Sequence, residues 1–66
     1  MRVYVNGESK DVRESLTLAE LVMELNLPAL RIAVELNRAV VRRRDWDRTK
    51  LSEGDRIEVV HFVGGG

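Results

Sequence analysis

The residues of this sequence best suited to chemistry are the three glycines that close it, in the stretch VHFVGGG. Gly64, Gly65 and Gly66 carry no side chain, so the reactive group at this end is the terminal carboxylate of Gly66. With an ordinary pKa of about 3.3 to 3.7, this carboxylate is ionised at neutral pH, and it can attack the α-phosphorus of ATP if an enzyme holds both. The expected product is an electrophilic acyl-adenylate.

Glycine also determines where such a carboxylate can go. Because glycine lacks Cβ, Gly64 and Gly65 form a narrow thread that can enter an enclosed site. Four extended residues, 63–66, reach on the order of 13 Å. We therefore expect a folded body that docks on a partner while a flexible tail enters the partner's site.

The other residues with reactive or charged side chains are not predicted to form a site. His61 is the only histidine and cysteine is absent, so we predict neither a metal site nor a nucleophile–base pair. Three arginines, 42–44, are followed at once by Asp45 and Asp47 without interleaved aromatic residues, which favours a solvated loop over a nucleic-acid site.

Length and charge restrict the class of protein further. The chain has 66 residues, with 11 basic and 11 acidic side chains, so it makes one small neutral domain. Its opening resembles a strand rather than a signal peptide, and no apolar run is long enough to span a bilayer. We expect a cytoplasmic protein that binds neither nucleic acid nor membranes.

The opening segment has the pattern of a β-hairpin. Met1, Val3 and Val5 are apolar at every second position, and Asn6-Gly7 follows at once. Asn-Gly after an alternating run is typical of a type I′ turn, whose two central residues need positive φ. We predict a polar edge strand over about residues 8–13.

The next segment, LTLAELVMELNLP, changes to a helical period. Thr17 and Glu20 have the spacing of a capping box, and Asn26 with Pro28 indicates the end of the helix. Met23 is predicted to pack beside the apolar stripe. The stripe consists of Leu18, Leu21, Val22 and Leu25.

Three further strands complete the predicted fold. Residues 32–36 and 39–41 are strand-like, and residues 56–63 form a last strand that runs into the glycines. The charged stretch between residues 41 and 56 is predicted to be a loop with a short helical turn, in which Trp46 closes the core. The order strand, strand, helix, strand, strand, strand predicts an α+β domain with one helix on one face of a sheet.

The other face of that sheet should carry a binding surface. Ile57 and Val59 point inward, whereas Val60 and Phe62 fall on the outward side beside the tail. Tyr4 also points outward and would extend the same patch if the first and last strands are neighbours. We predict that these outward residues bind a partner; the alternative is ordinary scatter of exposed apolar side chains.

These features together resemble the β-grasp sulfur carriers, a group related to ubiquitin in fold, and most closely their thiamine-biosynthesis branch. The resemblance spans essentially the whole chain, through VYVNGE, TLAELVMEL, VELNRAVVRRRDW and EGDRIEVVHFVGGG. Many relatives have proline where Arg42 stands here. The resemblance implies a β-grasp domain over residues 1–63, with a mixed sheet packed on one helix, and a flexible tail over residues 64–66.

The resemblance also implies a function. Gly66 would be adenylated by an E1-like adenylyltransferase that uses Mg-ATP, and then converted to a thiocarboxylate with sulfur from a cysteine desulfurase pathway. The thiocarboxylate would give its sulfur to thiazole synthase as the thiazole ring of thiamine forms, while Val63, Gly64 and Gly65 contact the partners. The carrier would hold no cofactor of its own and would be acted on by these enzymes rather than be an enzyme.

Three other functions fit the same terminus. A carrier like the small subunit of molybdopterin synthase would use the same chemistry in another pathway. A ubiquitin-like modifier would form isopeptide bonds with lysines. A β-grasp interaction module would bind partners without any activation of its carboxylate.

Overall fold

A computed structural model describes residues 1–62 of the chain. Within this range, five strands form one mixed sheet and one α-helix packs on it. The strands are β1 (Arg2–Val5), β2 (Glu8–Asp11), β3 (Ile32–Leu36), β4 (Ala39–Val41) and β5 (Arg56–His61), and helix α1 is Leu18–Glu24. Two short 3₁₀ helices, Ala29–Arg31 and Arg43–Arg48, lie in the connections. This arrangement confirms the predicted α+β class.

The last strand lies at the centre of the sheet. The strand order is β2-β1-β5-β3-β4, in which β5 runs parallel to β1 and antiparallel to β3. Each hairpin, β1–β2 and β3–β4, contributes one neighbour of β5 and one edge strand. The described part of the chain therefore ends just after the strand that is held on both sides.

Both hairpins turn through residues with positive φ. Asn6 and Gly7 have φ of 49° and 85°, and Asn37 and Arg38 have 50° and 74°. The predicted Asn-Gly turn is thus confirmed. Strand β2 ends at Asp11, two residues earlier than predicted, because the chain turns there to bury Val12 in the core.

Helix α1 begins with the predicted capping box. The Thr17 side chain accepts from the Glu20 N–H at 3.1 Å, and the Thr17 N–H donates to the Glu20 carboxylate at 2.9 Å. The Thr17 backbone and hydroxyl, followed by Arg13, hold the pKa of Glu20 below its ordinary value of 4.5. Because the pKa of Glu20 is lower in the folded chain than in the unfolded chain, its ionised carboxylate stabilises the fold above the ordinary pKa. This stabilisation is lost as pH falls through the folded-state pKa.

Replacing Thr17 by alanine is expected to lower the free energy of unfolding by about 1 kcal/mol, because the first turn of α1 loses its side-chain acceptor. Urea unfolding of the wild type and Thr17→Ala measures the difference, and Thr17→Ser, which keeps the hydroxyl, is the matched control. Equal stability of the alanine variant and the wild type would show that the cap contributes nothing.

The core lies between α1, the 3₁₀ helix Arg43–Arg48 and the inner face of the sheet. It contains Val3, Val12, Leu16, Leu18, Leu21, Val22, Ile32, Val34, Trp46, Leu51, Ile57 and Val59. Trp46 closes it as predicted, and its indole N–H donates to the Val41 carbonyl at 2.9 Å. The prediction that Met23 packs beside the stripe is wrong, because the seven-residue helix presents this side chain to solvent at 75% exposure.

Candidate functional site

The base of the C-terminal segment is anchored to the sheet. Phe62, the last described residue, donates its N–H to the Arg31 carbonyl at 2.7 Å, one step beyond the end of β5. The predicted tail residues and their neighbour, Val63, Gly64, Gly65 and Gly66, lie outside the described residues, so their roles stay predictions. The structure thus defines the position of the residue that precedes Val63.

Two asparagines hold β5 in place. The Asn6 side-chain oxygen accepts from the Val59 N–H at 2.8 Å, and the Asn37 side-chain oxygen accepts from the Arg56 N–H at 2.9 Å. Each asparagine is the first residue of a hairpin turn with positive φ, which places its short amide beside the central strand. The sequence predicted the turn at Asn6, but not the bonds that Asn6 and Asn37 make to β5.

Apolar side chains cover one end of the sheet's outer face. Val60 and Phe62 are 54% and 56% exposed, as predicted from their alternation along the chain. Three residues missed in the sequence join them: Ala33 pairs with Val60 across β3 and β5, and Leu30 and Val40 line one groove with Phe62. These five residues, Leu30, Ala33, Val40, Val60 and Phe62, form what we call the outer patch.

Tyr4 occupies a different part of the same face. Strands β1 and β5 are neighbours as expected, but their register places Tyr4 opposite Arg56, whose guanidinium carbon lies 5.2 Å from the ring centroid. Arg56 precedes Val60 by four residues, about 13 Å along β5, with Glu58 between them on this face. The prediction that Tyr4 extends the patch is therefore wrong, because a cation–π pair and a carboxylate separate it from Val60.

His61 lies on the inner side of the sheet's end. It lines a groove of about 380 Å³ with Val5, Lys10, Leu27 and Val59, and its side chain is exposed. Within residues 1–62, no group of three histidine, aspartate or glutamate side chains could hold a metal ion. No helix in the same range is long and apolar enough to cross a membrane.

The arrangement combines the end of the described chain with a surface that can dock. The outer patch and the end of β5 lie together, so a partner that covers the patch is also positioned to receive residues 63–66. Exposed apolar side chains at the edge of a small domain are typical of a protein-binding surface.

Comparisons with known proteins give consistent results. A family model described as the ThiS family matches residues 3–66. The sulfur carrier protein ThiS of Bacillus subtilis is 33% identical, over 97% of this chain and 98% of that protein. The crystal structure of thiamine biosynthesis protein ThiS from Geobacter metallireducens is 39% identical, covers 100% of both chains and superposes with a TM-score of 0.88. The predicted β-grasp fold is thereby confirmed.

A further relative is much longer than this chain. The thiazole synthase of Magnetococcus marinus is 44% identical over 66 residues, which is 100% of this chain and 20% of that protein. This chain therefore spans about a fifth of the length of the thiazole synthases that it matches.

Proposed function

The chain belongs to the ThiS family, and we propose from this membership that it is the sulfur carrier of thiamine thiazole synthesis, acting through the carboxylate of Gly66. The observation that carries the proposal is the extent of the match. It runs from residue 3 to residue 66, so the glycine end falls inside the family pattern.

The proposed reaction has two activating steps. An E1-like adenylyltransferase binds the outer patch and Mg-ATP, and the Gly66 carboxylate attacks the α-phosphorus with release of pyrophosphate. The outer sulfur of a protein persulfide, formed by a cysteine desulfurase pathway, then attacks the acyl carbon and displaces AMP. A second thiol cleaves the S–S bond of the resulting acyl disulfide, forms a disulfide with the cysteine that carried the sulfur, and leaves a thiocarboxylate. The carrier body, residues 1–63, would supply recognition, and residues 64–66 would supply reach and the reacting group.

Thiazole synthase is the proposed acceptor of the sulfur. Support comes from the thiazole synthases that contain a segment similar to the whole of this chain. A carrier-like segment joined to the rest of a thiazole synthase raises the effective concentration of one for the other. In the present chain the encounter with thiazole synthase would use the outer patch and the Gly66 end.

Pathway complementation tests this function. We expect the gene to restore growth without thiamine in a bacterial strain that lacks its own thiamine sulfur carrier. The same gene should leave molybdoenzyme activity absent in a strain that lacks the small subunit of molybdopterin synthase. Rescue of the second strain and not of the first would assign the chain to the molybdopterin pathway.

A further inference from the structure

The outer edge of β4 carries backbone groups that point out of the sheet. Glu35 and Val40 are register partners in the β3–β4 hairpin. The Asn37 N–H donates to the Arg56 carbonyl at 2.8 Å, so the odd-numbered residues of β3 direct their backbone groups towards β5. Val40 therefore sits at a non-hydrogen-bonded position of the hairpin, and its N–H and C=O face away from β3.

Both ends of this edge are basic. Four exposed arginines flank Val40, and none has a carboxylate oxygen within 4.0 Å in the part of the chain that the structure describes. They are Arg38, Arg42, Arg43 and Arg44. Residues 31–50 hold seven basic and three acidic side chains, although the whole chain is neutral. This concentration of positive charge favours an acidic partner.

An apolar groove of about 290 Å³ connects this edge with the base of the tail. Its lining includes Leu30, Ala33, Val40, Arg42, Arg43 and Phe62. Val40 is 70% exposed and Leu30 is 76% exposed, so neither side chain is buried in the carrier's own core. A protein that holds residues 63–66 necessarily lies next to Phe62 and thus next to this groove.

We propose that the β4 edge receives an extended, acidic segment of the E1-like adenylyltransferase, which adds a strand at Val40 and sets carboxylates against Arg38 and Arg42. Strand addition supplies the missing partners of the Val40 N–H and C=O, and the arginines select segments that carry negative charge. The inference rests on the proposed sulfur-carrier function and names how one partner of that activity is recognised. Charged residues beside an unpaired strand edge also prevent it from pairing with strands of other chains. A purely protective role of these arginines is therefore one outcome of the test.

Val40→Pro tests the backbone pairing. Proline removes only an N–H that faces away from β3, a position that edge strands tolerate, so the variant should fold. We expect its affinity for the purified adenylyltransferase to fall at least about tenfold relative to Val40→Ala, which loses the side chain and keeps the N–H. Isothermal titration gives the affinities, and circular dichroism with thermal unfolding verifies the fold. Equal affinities of the two variants would overturn strand addition.

Charge reversal tests the acidic character of the partner and stays informative if the proline variant unfolds. Arg42→Glu should weaken binding about tenfold or more at low salt, and the loss should shrink as salt screens the contact. The matched control, also a single charge reversal, is Lys10→Glu on β2, the opposite edge strand, four strand spacings or about 19 Å away. A control that weakens binding as much as Arg42→Glu would overturn the proposal.

The strand-addition hypothesis and the sulfur-carrier hypothesis fail in different ways. If the wild type acquires sulfur but the β4 variants bind the adenylyltransferase like the wild type, the edge is only protective and the carrier function stands. If the variants lose affinity for thiazole synthase and keep it for the adenylyltransferase, the proposed occupant is wrong. If the wild type never acquires sulfur, the carrier function itself is wrong, whatever the β4 edge binds.

Discussion

Deleting Gly66 is expected to abolish sulfur loading while leaving the fold unchanged. The new carboxylate, on Gly65, would stop one residue or roughly 3.3 Å short of the activated phosphorus. A misplacement of about 1 Å can already lower the rate on the order of a hundredfold, so a whole residue should leave no measurable product. Intact-mass spectrometry after incubation with the adenylyltransferase, Mg-ATP and a sulfur source measures the loss.

An extended chain provides the matching control for this deletion. One additional alanine after Gly66 moves the carboxylate in the opposite direction and adds a side chain to the thread, so loading should fail again. Both variants should unfold at the wild-type temperature, because the changes lie beyond the core residues. Loading of the truncated chain at the wild-type rate would remove the terminal carboxylate from the mechanism.

Phe62→Asp is expected to weaken docking to the adenylyltransferase by about thirtyfold or more, the equivalent of roughly 2 kcal/mol at a buried interface position. The ring is 56% exposed in the free carrier and lies in the outer patch, so the aspartate would bring a charge into a surface that must lose its water. The backbone bond from Phe62 to Arg31 is kept, and the variant should fold. Isothermal titration measures the affinity.

Met23→Asp is the matched control for that variant. Met23 is also an exposed apolar residue, at 75%, but it lies on α1, on the other side of the sheet from the outer patch. The substitution places the same charge on the carrier without touching the proposed interface. If both variants bind like the wild type, or both bind equally weakly, the outer patch has no special part in docking.

Local signals in the sequence were sufficient for the elements of the fold. The Asn6-Gly7 turn, the Thr17 cap and the Trp46 closure depend on neighbouring residues, and each appears in the structure with the predicted geometry. The 3₁₀ helix Ala29–Arg31 was missed, because a three-residue turn after Pro28 has no periodicity to detect. Element types were therefore predictable where short-range chemistry specified them.

The candidate site was less predictable, because it depends on contacts between distant segments. Val60 and Phe62 could be assigned to the outer face by alternation alone. The distance between Tyr4 and Val60 follows from the parallel register of β1 and β5, which no local pattern specifies. Val40 is assigned to the outer patch by its pairing with Glu35 in the β3–β4 hairpin. Its position between Ala39 and Val41 in a strand-like run could already have indicated that its side chain points outward.

Sulfur loading at Gly66 is tested most directly by the mass of the intact carrier after reaction with an E1-like adenylyltransferase, Mg-ATP and a sulfur source. We predict that the protein gains the mass difference of one sulfur replacing one oxygen, and that fragmentation places the change on Gly66. A carrier that acquires no sulfur beside an enzyme shown to load a known ThiS protein, or that acquires it at another residue, would contradict the assignment.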